Sequence, residues 1–162
     1  LLSELDIVET PPAGRTQQVQ INRERVTKPD SVLSIPQGEF YQPVQAFLRQ
    51  VQDKLDELVG VVLFGSVARG EADRASDIDL LVIVDGELTY GRRICTSLAR
   101  DVEEESFDGH RYEFEVLVET PDTAVSHGGD LKEIFDEGLV LERSDQLQEL
   151  RQNIYASAGG GA

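Results

Sequence analysis

The chain predicts an α/β domain, and three observations carry that expectation. Short apolar runs with strand character alternate along the sequence with segments whose apolar residues recur at helical spacing. The run Ile78 to Val84 is apolar on both of its faces beyond Asp79, as expected of a central strand. The 162 residues suffice for one domain with a real core and a small appendage.

Taken in order, Leu1, Leu2 and Leu5 share one helical face, and Ile7-Val8 followed by "ETPPAGRTQQVQI" spells strand, turn, strand. This helix and hairpin, residues 1–27, resemble the second half of a winged-helix DNA-binding domain, with Arg15 near the wing tip and the earlier helices missing. A bare hairpin is the equal alternative. The chain opens on Leu1 rather than Met, which points to a fragment. Residues 28–40, with two prolines and a glycine, are expected to be a linker.

A domain over 41–155 follows. Tyr41, Val44, Phe47, Leu48, Val51, Leu55 and Leu58 predict a helix with Pro43 in its first turn and Gly60 at its end. Val61 to Phe64 is a short buried strand that stops at Gly65-Ser66, and Ala68 to Ala75 is turn-rich. A second strand starts at Asp77, with Ile78, Leu80, Val82 and Val84 on one face and Asp77, Asp79, Leu81 and Ile83 on the other. A helix from about Leu88 to Val102 turns Ile94, Leu98 and Val102 inward. A third strand, Arg111 to Glu119, puts Glu113, Glu115 and Leu117 on one face and is closed by Pro121. A short helix near Leu131 to Phe135, a strand at Leu139 to Leu141 and a polar helix from Asp145 complete the domain. Residues 156–162, ending in "AGGGA", are expected to be a flexible tail.

Composition excludes several classes. The net charge is -16, from 31 acids against 15 bases, of which only Lys28, Lys54 and Lys132 are lysines. Such a surface repels nucleic acid, so DNA binding is expected only through a complete N-terminal winged helix. The acid-rich, lysine-poor balance suits a high-salt cytoplasm, where screening relieves self-repulsion. No apolar run approaches the ~18 to 20 residues of a membrane span and no secretory pattern is present, so a cytoplasmic protein without membrane contact is expected. The single cysteine, Cys95, excludes an intramolecular disulfide and is expected to be a small apolar helix residue. His110 and His127 lack neighbouring ligand-type residues, Arg92-Arg93 is expected on a solvated helix face, and the adjacent acids Glu103 to Glu105 point in different directions.

The chemistry gathers at one place. Two residues apart on a strand, Asp77 and Asp79 lie roughly 6 to 7 Å apart on one face. At ~5 Å and an effective dielectric near 20, their carboxylates would repel by about 3 kcal/mol. A divalent cation offsets that repulsion, whereas an isolated Asp-x-Asp at an exposed strand end would simply be solvated. Gly65-Ser66 and Gly70 let backbone approach a ligand closely, the Ser66 hydroxyl can donate to an anion, and Arg69 adds a cation suited to phosphate. Phosphate donors beside a metal-binding acid pair imply a metal-nucleotide site.

Here "FGSVARG" followed by "SDIDLLVIV" resembles the signature of the DNA polymerase β-like nucleotidyltransferases, in particular their minimal, antitoxin-like branch. The resemblance spans roughly Gly60 to Leu141. It implies a twisted mixed sheet flanked by helices, a nucleoside triphosphate (ATP) as substrate, and Mg²⁺ or Mn²⁺ on Asp77 and Asp79. By it, Gly65, Ser66, Arg69, Gly70 and Ser76 would hold the nucleotide. A third acid is expected on a later strand, and "FEVLVETP" offers Glu115 first and Glu113 second. The expected reaction is attack of an acceptor hydroxyl on the α-phosphorus. Members of this branch modify a helical partner toxin, and some relatives modify aminoglycosides; with no evident small-molecule domain, a protein acceptor fits better. A regulator that binds DNA through its winged helix and senses nucleotide or partner is the competing expectation.

Overall fold

A computed structural model describes residues 31–160. The N-terminal helix and hairpin expected over residues 1–27 lie outside the described residues. Six helices and four strands follow two short 3-10 turns, Ser31–Ser34 and Gly38–Phe40. The strands are β1 (Leu58–Phe64), β2 (Ile78–Val84), β3 (Phe114–Glu119) and β4 (Leu139–Glu142). The helices are α1 (Tyr41–Lys54), α2 (Gly65–Arg69), α3 (Leu88–Glu103), α4 (Pro121–Ser126), α5 (Gly128–Glu137) and α6 (Asp145–Gly160).

The sheet order is β3-β2-β1-β4. β1 pairs antiparallel with both β2 and β4, whereas β2 and β3 are parallel. The parallel pair is joined through α3, because strands running the same way need a crossover and cannot share a hairpin. The mixed sheet with helices on both faces is the architecture the sequence led us to expect.

Alternation along β2 divides the core. Ile78, Leu80, Val82 and Val84 pack with Phe47, Val51, Cys95 and Val102 beneath α1 and α3. Leu81 and Ile83 face the other way, against Leu131, Phe135, Leu150 and Ile154 of α5 and α6. A register break between Leu58 and Gly60 in the β1–β2 ladder lets Val59 and Val62 both join this second layer.

Four expectations need correction. Helix α1 stops at Lys54, since Leu55 is extended and Leu58 already belongs to β1; the valine-rich run after it favours pleated backbone. Gly60 therefore lies inside β1, where a Cβ would come within 2.7 Å of Leu147 Cδ2, so its bareness lets α6 approach the strand. The described part of the expected linker, from Ser31 on, is a packed strap. Val32, Ile35 and Phe40 are at most 3% exposed, and Gln37 exchanges two hydrogen bonds with the Ala72 backbone. Pro36 and Gly38 interrupt any periodicity, so three isolated anchors carry no sequence signal. Pro121 does more than end a strand: with Thr120 and Thr123 forming a reciprocal capping box, it opens α4. Finally, α6 runs to Gly160, through most of the expected tail, with Leu147, Leu150 and Ile154 buried along one face. No helix among the described residues is long and apolar enough to cross a membrane.

Candidate active site

Phe64 at the end of β1 and Glu115 on β3 both stand beside Asp79, one on each side in the sheet register. The chain turns sharply after Phe64 because Gly65 takes φ +77°, a left-handed conformation. A Cβ on Gly65 would overlap Asp79 Oδ2, so the glycine is required twice, by its backbone angle and by the carboxylate against it. Gly65 and Ser66 then open α2, whose Val67 and Ala68 are buried and anchor the turn. The segment expected to be only turn-rich thus contains one short helix.

Asp77 lies exposed just before β2, and Asp79 is half-buried. The amide of Ile78, between them, donates to the Glu113 carbonyl at 2.8 Å and locks the start of the parallel ladder. Burial, reinforced by the charges of Glu115 and Asp77 and by a hydrogen bond with Glu115, raises the Asp79 pKa from 3.8 to about 6; Arg69 opposes this. Burial is the larger cause, and the neighbouring acids add to it. Between the two glutamates, the one registered with Asp79 is Glu115; β3 begins at Phe114, not at Arg111 as expected, so Glu113 lies just outside it with its carbonyl accepting from Ile78.

The other expected residues divide. Ser66 sits at the turn with its carbonyl accepting from the Glu71 amide at 2.9 Å, and its hydroxyl has no hydrogen-bond partner among the described residues. Gly70 caps α2 in the left-handed region and faces Pro36 of the strap, which gives it a structural reason to be glycine. Ser76 closes a turn with Asp73, accepting from its amide at 3.0 Å and donating to its carboxylate at 3.2 Å. Arg69 is engaged by Glu71 at 3.1 Å and Glu137 at 3.3 Å. Glu137 at this place had no sequence signal, since it lies 68 residues away from Arg69. His127 meets Glu119 at 3.3 Å, away from the acid pair's end of the sheet.

Among the described residues, no three His, Cys, Asp or Glu side chains are already gathered around a common point as an ion would require. The donor set still fits a hard divalent cation, because Asp77, Asp79 and Glu115 offer only carboxylate oxygens.

A mixed sheet between helices, with Asp79 against a glycine-serine turn at one end, is thus the frame of the site. The chain belongs to the nucleotidyltransferase family: the profile of the nucleotidyltransferase domain matches residues 44–152. It is a nucleotidyltransferase. No curated protein sequence gives a significant match. Among solved structures, a toxin-antitoxin crystallised with AMP-PNP is 16% identical at a TM-score of 0.50, the match covering 72% of this chain and 85% of the other. A mutant of the toxin-antitoxin MntA-HpeT is likewise 16% identical at a TM-score of 0.53, with 72% and 86% covered. At these identities the likeness concerns the fold.

Proposed function

We propose that this nucleotidyltransferase moves AMP from ATP to a hydroxyl of a partner protein, as one half of a toxin-antitoxin pair, with Asp77, Asp79 and Glu115 holding Mg²⁺ or Mn²⁺. The observation that carries the reading is the Asp79 carboxylate lying directly against Gly65, with Glu115 opposite it in the sheet register. The adenine nucleotide and the protein acceptor are supported by the similar structures, one a toxin-antitoxin with AMP-PNP.

Gly65 and Ser66 would cradle the triphosphate, the bare Cα admitting it closely and the unengaged Ser66 hydroxyl donating to it. Arg69 would add countercharge. The acceptor oxygen attacks the α-phosphorus, the bond to the bridging oxygen breaks and pyrophosphate leaves, while the hydroxyl proton passes to a carboxylate, a role we give to the exposed Glu115. A bound divalent cation would lower the acceptor's pKa and neutralise the leaving phosphates. What the chain supplies is mainly orientation and fixed charge, which is what phosphoryl chemistry asks of a protein.

The test is incubation with each of four α-labelled nucleoside triphosphates, Mg²⁺ or Mn²⁺ and host lysate at high salt, beside an Asp77→Asn, Asp79→Asn control. Label moved by the wild type alone, most strongly from ATP and onto a protein band, is expected. Transfer to small molecules or nucleic acid would replace the acceptor, and no transfer without metal-nucleotide binding would remove the activity.

A further inference from the structure

Arg69 leaves the Gly-Ser turn at the end of α2, close enough for its charge to offset the acids around Asp79. Its guanidinium is nonetheless taken up elsewhere, Nε by Glu71 and Nη1 by Glu137. Glu71 is two residues along the chain and follows Arg69 wherever it goes. Glu137 is there by tertiary design. It ends α5, and Gly138 behind it packs so tightly on β1 that a Cβ would come within 2.6 Å of Val62 Cγ1 and 2.8 Å of the Leu63 carbonyl oxygen. The end of α5 is therefore pinned to the strand that delivers Gly65, and Glu137 is held within reach of Arg69.

Both ion pairs are solvent-exposed, with side chains 45% to 67% accessible, so each is weak and readily exchanged. A triphosphate offers the guanidinium a stronger, bidentate acceptor than one exposed carboxylate does. We propose that Glu137 is a positioning residue that parks Arg69 at the site's edge and competes with the incoming triphosphate for it, thereby setting nucleotide affinity without taking part in the chemistry. This rests on the assignment of a triphosphate to the Gly65-Ser66 turn.

The consequence is directional. Removing a clamp that only preorganised Arg69 would weaken nucleotide binding; removing a competitor strengthens it. Calorimetry of Mg·ATP binding and steady-state transfer should show Glu137→Gln lowering Kd and KM by about two- to fivefold, the range an exposed pair allows, with kcat within about twofold. In an Arg69→Gln background the same substitution should have no effect, because nothing is left to release. An unchanged or higher Kd for Glu137→Gln would overturn the proposal. So would an equal gain in the Arg69→Gln background, which would mean simple relief of negative charge. Glu137→Asp, which keeps the charge but shortens the reach to Arg69, should fall between wild type and Glu137→Gln. A wild type that binds neither Mg·ATP nor inorganic triphosphate would fail at the earlier step, removing the site assignment and this inference together.

Discussion

The two faces of β2 are made from alternate residues of one seven-residue strand, yet they have different fates. On the face toward α1 and α3, Ile78, Leu80, Val82 and Val84 are at most 3% exposed from end to end. On the other, Leu81 and Ile83 are fully buried under the second layer, but the cover thins toward Asp79 near the strand's start, and Leu117 on the neighbouring β3 remains 39% exposed. The first face contributes stability alone. The second gives up burial at one end, and the crowded acids stand there. A candidate active site here is a deliberate gap in a helix layer, at the end where β1 breaks into a glycine turn.

If the faces divide labour in this way, perturbing the open end should remove activity and spare the fold. The largest effect is expected for Asp77→Asn with Asp79→Asn, a loss on the order of a thousandfold or more in transfer with an unchanged circular dichroism spectrum. Activity surviving in that variant would end the assignment. Glu115→Gln should cost on the order of a hundredfold and Glu113→Gln only a few-fold, a contrast that kcat/KM measurements read directly. On the closed face, Leu80→Ala should cost about 2 to 5 kcal/mol of stability in urea unfolding through the cavity it leaves, whereas the half-open Leu117→Ala should cost less than about 1 kcal/mol. Equal losses at the two positions would mean that something further covers β3.

The smallest effect concerns charge. Asp79 has a folded-state pKa near 6, above its ordinary 3.8. A carboxyl raised by folding favours the folded state while protonated, so that contribution is complete below about pH 3.8 and is lost as pH rises through about 6. The metal-free Asp79→Asn variant should therefore melt higher than wild type at pH 7, with the difference closing toward pH 4. Adding Mg²⁺ should raise the wild-type Tm and leave the variant's unchanged. A variant less stable than wild type at pH 7 would show that Asp79 is favourably held as an anion.

Much of this was legible without coordinates because it is periodic or local. The helix spacing of Val44, Phe47, Leu48 and Val51, the alternation within β2 and β3, and the turn signal of Gly65-Ser66 each depend on residues a few positions apart. The acid pair was visible for the same reason, since the two-residue period of a strand puts Asp77 and Asp79 on one side whatever surrounds them. The sequence placed Glu115 before Glu113 by its motif alone; that Glu115 stands directly opposite Asp79 came from the register of two strands, which a single sequence does not contain.

Tertiary structure decided what depends on encounter. The strap from Ser31 to Phe40 was unreadable as core because Val32, Ile35 and Phe40 are anchored one at a time against partners such as Tyr112, not by a repeating pattern. Gly60 was expected to end a helix, yet its site is dictated by Leu147, and Gly138 is held by the side chain of Val62 and the backbone of β1. Arg69 looked like a free cation until α5 brought Glu137 to it. Local chemistry is written in order along the chain. Which charges and surfaces meet is set by burial, because the chain gains free energy by packing its apolar faces and carries its polar groups wherever that packing leads.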